Sequence, residues 1–169
     1  IDRALQKDVG TFLQNLESKY ELIRRKKPLL AKQNSKVSTY EIRDNFLRFW
    51  FRFIYPFQSL IERQLFAPLR GNISNHYEDY SGRVLEQYFH DKVMESGQYT
   101  QVGNWWNRKG QNEIDLIAIN EFDHTGIIAE VKRNPKKINL QKLAEKAVAL
   151  PSKDFAPYHL QPHPLSLTD

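Results

Sequence analysis

Two carboxylates and a lysine are set among the apolar residues of one stretch, Glu113–Lys132. Asp115 is followed, after fourteen intervening residues, by Glu130-x-Lys132, and all three lie in runs of Ile, Leu, Ala and Val. Burying a lone carboxylate or ammonium costs on the order of several kcal/mol, so such groups are paired or bound to a metal. Two chemistries satisfy that demand. One is an ion pair at a sheet edge, Glu130 or Asp115 with Lys132. The other is a divalent-cation site, in which the carboxylates supply hard oxygen ligands and the lysine holds a phosphate or polarises a water. Glu113, two residues before Asp115, is a secondary candidate: it is either a third carboxylate or a partner for Arg108 or Lys132.

These side chains need two strands and a turn to bring them together. By two-residue alternation, Glu113, Asp115, Ile117 and Ile119 share one side of the first strand, and Ile114, Leu116 and Ala118 the other. Ile128, Glu130 and Lys132 share a side of the second. Paired, the strands would bring Asp115, Glu130 and Lys132 to one face at the end of a sheet.

This arrangement resembles the motif of the PD-(D/E)xK nuclease superfamily. The chain is also similar to the C-terminal region (domain of unknown function 234) of archaeal-type P-loop ATPases of the AAA/STAND kind, through YEIRDNFLRFWFRFIYP, SGRVLEQYF, VGNWWNRKGQNEIDLIAIN, IIAEVKR and LSLTD. The resemblance implies an α/β (α+β) chain. A truncated winged-helix segment and an aromatic helical joint would precede a restriction-endonuclease-like domain, whose central mixed sheet is flanked by helices. It implies Mg²⁺ or Mn²⁺ on Asp115 and Glu130, with Glu86 of SGRVLEQYF as a further carboxylate, and Lys132 as a catalytic residue. The expected activity is hydrolysis of nucleic-acid phosphodiesters, chiefly DNA. The alternative is an inactive module that binds DNA or regulates an ATPase domain lying upstream. No Gly-x-x-x-x-Gly-Lys-Ser/Thr loop occurs in the chain, so ATP would bind in that upstream part. A homodimer would allow two strands to be cut.

Bulk properties agree with a soluble globular protein: 169 residues, 40% hydrophobic and 27% charged. A net charge of +5 favours polyanionic partners. No apolar run approaches the ~20 residues of a membrane span, so no membrane partner is expected. The lack of cysteine excludes disulfides and thiolate metal sites and suits a reducing cytoplasm. The chain opens at Ile1 without methionine, so we expect an excerpt of a longer protein.

Three segments follow: residues 1–45 as a partial winged helix-turn-helix, 46–75 as a helical connector and 76–169 as the nuclease-like domain. Leu5, Val9, Phe12, Leu13 and Leu16 make a helical stripe over Ile1–Ser18, the candidate recognition helix. Strands are expected over Tyr20–Leu30 and Val37–Ile42. Arg24, Arg25, Lys26 and Lys27 on the wing are candidate DNA contacts or a solvated turn. Asp44 reads as the N-cap of a helix that carries aromatics on nearly every side and therefore expects burial, with Pro56 breaking it.

Ala67–Asp79, with Pro68, Gly71 and several Asn and Ser, reads as a loop, and a helix begins near Ser81 and stops at Gly97. Gln98–Arg108 reads as a strand with Trp105 and Trp106 on opposite faces. Arg108, Lys109 and Arg133 are further candidates for a phosphate backbone. A helix over Leu140–Leu150 carries Lys142 and Lys146 on one face, and an extended edge strand closes the chain over Tyr158–Leu167.

Overall fold

The computed structural model describes residues 9–169, so Leu5 and the start of the expected first helix lie outside the described residues. The chain divides into two compact units. The first holds the residues up to Lys26 together with Ser38–Asn75, and the second holds Lys27–Val37 and His76–Asp169.

In the first unit, α1 (Gly10–Gln14) continues as a π-helical turn over Asn15–Lys19. Strands β1 (Ile23–Lys26) and β2 (Thr39–Ile42) then pair antiparallel, with Arg24 opposite Glu41. Both strands are shorter than the alternation predicts. The Asp44 carboxylate accepts a hydrogen bond from the Leu47 N–H and caps α2 (Asn45–Phe49). The helix passes through a π-helical stretch, Trp50–Ile54, and tightens over Tyr55–Phe57 at Pro56, which cannot donate an intrahelical bond, before α3 (Gln58–Glu62). Of the two ways such a helix can be buried, within the chain or against a partner, burial within the chain is only partial. Phe53 is buried, but Phe46, Phe51 and Tyr55 are exposed.

The expected loop over Ala67–Asp79 is helical instead. One helix, α4, runs Phe66–Glu95. Pro68 falls in the first turn, where a missing N–H costs nothing. Gly71 and the Asn and Ser residues lower helix propensity without forbidding it. The Ser81 hydroxyl bonds back to the Tyr77 carbonyl, within the helix it was expected to start. Gly97 ends the segment at φ +68°, where glycine carries no side-chain penalty.

The second unit is built on a mixed four-stranded sheet in the order β3 (Gln101–Trp106), β4 (Glu113–Asn120), β5 (Thr125–Lys132), β6 (His159–Ser166). The first two pairings are antiparallel and β5–β6 is parallel. Leu85 and Phe89 of α4 pack with Leu116, Ala118, Ala129 and Val131 on one side. On the other side, Ile114, Ile117, Ile119 and Ile128 pack against Leu143 of α5 (Leu140–Val148) and Phe155 of α6 (Ser152–Phe155). This is a sheet flanked by helices on both faces.

Strand β6 carries Pro162 and Pro164. Two prolines two residues apart remove N–H groups from the same side of a strand, which an edge strand tolerates on its outer side. Register pairs β6 along its whole length with β5, from Thr125–His159 to Lys132–Ser166.

Candidate functional site

The face assignment read from strict alternation along β4 requires correction. Gly103 pairs with Ile117 and Trp105 with Ile114, so Asn104 faces the two residues Asp115 and Leu116. That extra residue is a β-bulge on β4. It puts Ile114 in the same apolar cluster as Ile117 and Ile119, and Leu116 with Ala118 in the other. The bulge also places Asp115 where the regular β4–β5 ladder stops, since that pairing runs only from Asn120–Thr125 to Leu116–Ala129.

Beyond that point the side chain takes over from the backbone. Asp115 Oδ2 accepts from the Val131 N–H at 3.0 Å and from Lys132 Nζ at 3.2 Å. Glu130, only 7% exposed, has Oε1 3.6 Å from Lys132 Nζ, and its Oε2 accepts from the Asn139 N–H at 2.9 Å. Asn139 is the N-cap of α5, its side chain accepting from the Lys142 N–H. One end of each carboxylate is thus held by a backbone N–H, and their charges converge on one ammonium. Asp115 and Lys132 are half-buried in the sense that their side chains keep 13% and 35% exposure.

Burial is the largest influence on Lys132 and pulls its pKa down. The charge of Asp115 and its hydrogen bond, with the charges of Glu130 and Glu86, outweigh burial and hold the ammonium above its ordinary value of 10.5. Glu86, on the half-buried face of α4, is therefore within electrostatic reach of the Asp115–Glu130–Lys132 group. Asp115 and Glu130 together carry one formal negative charge more than Lys132 balances. Among the described residues, no three His, Cys, Asp or Glu side chains converge as a metal cage.

The other sequence candidates lie apart from this group. Glu113 is exposed, opposite Trp106 in register, and its side chain makes no hydrogen bond or ion pair among the described residues. Arg108 and Lys109 are exposed in the turn between β3 and β4. Arg133 lies with its guanidinium 5.7 Å from the Tyr77 ring centre. The wing cations are largely engaged with their own surroundings. Arg24 and Lys26 both pair with Glu41, Arg25 Nε donates to the Ser38 hydroxyl at 2.9 Å, and Lys27 donates to the Gln33 carbonyl. Sequence reasoning missed Asn139, whose backbone N–H orients Glu130. Its only sequence signal is its place as an N-cap ahead of an apolar-periodic helix.

Comparison with known proteins adds family membership. An uncharacterized protein of Methanocaldococcus jannaschii is 33% identical over 165 residues, covering 90% of this chain and 36% of that relative. The chain therefore spans little more than a third of the relative's length. No solved structure matches it significantly. The family called domain of unknown function 234, described as archaea bacterial proteins of unknown function, matches residues 50–144. With more than half of its length matched, and the bulged strand, β5 and all of α4 inside the match, the chain belongs to that family.

Proposed function

We propose that the second unit is a metal-dependent nuclease of the PD-(D/E)xK kind, hydrolysing phosphodiesters of nucleic acid, with DNA the first substrate to test. The observation that carries this reading is the convergence of Asp115, Glu130 and Lys132 where the β4–β5 ladder stops. The donor set fits Mg²⁺ or Mn²⁺: hard carboxylate oxygens, a surplus of negative charge, and second partners that fix each carboxylate. Asp115 and Glu130 would hold the ion, with Glu86 near enough to act on the site through its charge. When bound, the ion supplies Lewis-acid neutralisation of the phosphate and a lowered pKa for water.

The chain's own residues then have separate tasks. Lys132 stands within reach of both carboxylates and is suited to act as a hydrogen-bond donor. It donates hydrogen bonds, either to the attacking water or to the phosphate oxygen on which charge grows in the transition state. The Val131 and Asn139 N–H groups keep Asp115 and Glu130 oriented. In this reading an ATPase domain elsewhere in a longer protein would supply nucleotide-driven motion.

A second reading has its own observation. The Lys132 ammonium already pairs with both carboxylates, at 3.2 and 3.6 Å, as it would in an inactive module that binds DNA or regulates an ATPase. Calorimetric titration with Mn²⁺, wild type beside Asp115→Asn, separates the two. Saturable binding lost in the variant supports the nuclease, and is followed by a cleavage screen. A folded protein that binds no Mn²⁺ leaves the ion pair as the role of these residues.

A further inference from the structure

The second unit also contains a cavity of about 290 Å³, and none of Asp115, Glu130, Lys132 or Glu86 lines it. It is made by the segment Lys27–Val37, which straps the outer edge of β3. The Leu29 N–H donates to the Asn104 carbonyl at 2.8 Å. Leu29 lies over Gly103, where a Cβ would stand 3.2 Å from its side chain, so the absence of one lets the strap close on the strand. Leu29, Trp105, Trp106 and Phe155 supply an apolar and aromatic lining, and Arg108 and Asp154 are its charged members.

The charge around this lining is one-sided. Lys32, Lys36, Lys109 and Lys153 each adjoin a lining residue in the chain, and all four are exposed. Among the described residues none of them forms an ion pair. The lining itself has one cation, Arg108, and one carboxylate, Asp154, and these four lysines stand next to lining residues in the chain. A purely apolar ligand would gain nothing from the cations, and an inorganic anion would gain nothing from two indoles and a phenyl ring. A ligand with a flat aromatic body and an anionic group uses both. The volume lies near the lower end of small-molecule sites, roughly 300 Å³ upward.

We propose that this cavity binds a nucleotide, its base against the half-buried indole of Trp106 and its phosphate met by Arg108. Asp154 offers an acceptor for an exocyclic amine of the base. The ligand is either a free nucleotide or one nucleotide of a strand. The site does not depend on the nuclease reading, because it shares no residue with the carboxylate group.

The test is calorimetry on the full chain with AMP, ATP and a short oligodeoxyadenylate as probes. The proteins are wild type, Trp106→Ala and Arg108→Ala, each checked for folding by circular dichroism. The expected result is saturable, salt-sensitive binding of at least one probe. Trp106→Ala should weaken it about tenfold or more, as loss of base stacking does. Binding of AMP or ATP identifies a free nucleotide, whereas binding of the oligonucleotide alone identifies a strand. If Trp106→Ala fails to fold, the exposed pair Lys36→Glu and Arg108→Glu must weaken binding instead. No saturable binding by the folded protein overturns the proposal. So does binding that neither Trp106→Ala nor the charge changes alter.

Discussion

Replacing Asp115 by Ala and by Asn distinguishes a carboxylate that bridges two strands from one that merely sits near a lysine. The Ala variant removes the acceptor of the Val131 N–H, and Val131 is only 4% exposed. Leaving a buried N–H unsatisfied costs about 1–3 kcal/mol. Loss of the partner of Lys132 adds to this, reduced by the solvent that still reaches the ammonium. Asn keeps an oxygen for the N–H but replaces a charge-assisted hydrogen bond by a neutral one, a loss of about 1 kcal/mol. At roughly 2–4 °C per kcal/mol for a chain of this size, the midpoint should fall by about 2–12 °C for Ala and about 2–4 °C for Asn. Thermal unfolding followed by circular dichroism reads the difference, and Mn²⁺ titration of the same samples should find both variants unable to bind. Equal midpoints for Asp115→Ala and wild type would refute the bridging role, whatever the metal result.

Four further outcomes follow from the same geometry. Because Lys132 has a folded pKa above its ordinary value, its contribution to stability is fully present below pH 10.5 and is lost as pH rises through the folded value. The stability gap between wild type and Lys132→Gln should therefore be level from neutral pH upward and shrink only in strong alkali, as read by urea unfolding at a series of pH values. Gly126→Ala would place a Cβ 2.5 Å from the Ala118 carbonyl oxygen and 2.8 Å from Leu160 Cδ2, an overpacking cost of about 1–3 kcal/mol or more, measurable in the same way. Leu143→Ala, at a position 1% exposed between α5 and the sheet, should cost about 2–5 kcal/mol in urea unfolding. Lys137→Ala breaks the Glu78–Lys137 pair, but both side chains are well exposed, and the melting midpoint should not move measurably.

The sequence alone determined the local pieces with strong periodicity or a clear cap. The β4–β5 hairpin, the Asp44 cap, the stop at Gly97 and the terminal edge strand were legible because alternation, capping side chains and glycine act within a few residues. It also named Asp115, Glu130 and Lys132, since charges inside apolar runs demand partners. Only the tertiary structure decided the rest. Residues 67–79 look like a loop by composition, yet they lie within one 30-residue helix, where weak propensities are overridden by the chain on either side. The bulge at Asp115 and Leu116 could not be read from alternation, because it depends on how β4 meets Asn104 of its neighbour. It decides which isoleucines share a cluster and where the β4–β5 ladder ends, leaving a carboxylate to take the next backbone N–H. The cavity behind Trp106 is likewise invisible in one dimension, since it exists only where residues 27–37 close over β3. Contacts between residues distant in sequence are set by packing, and no local pattern encodes them.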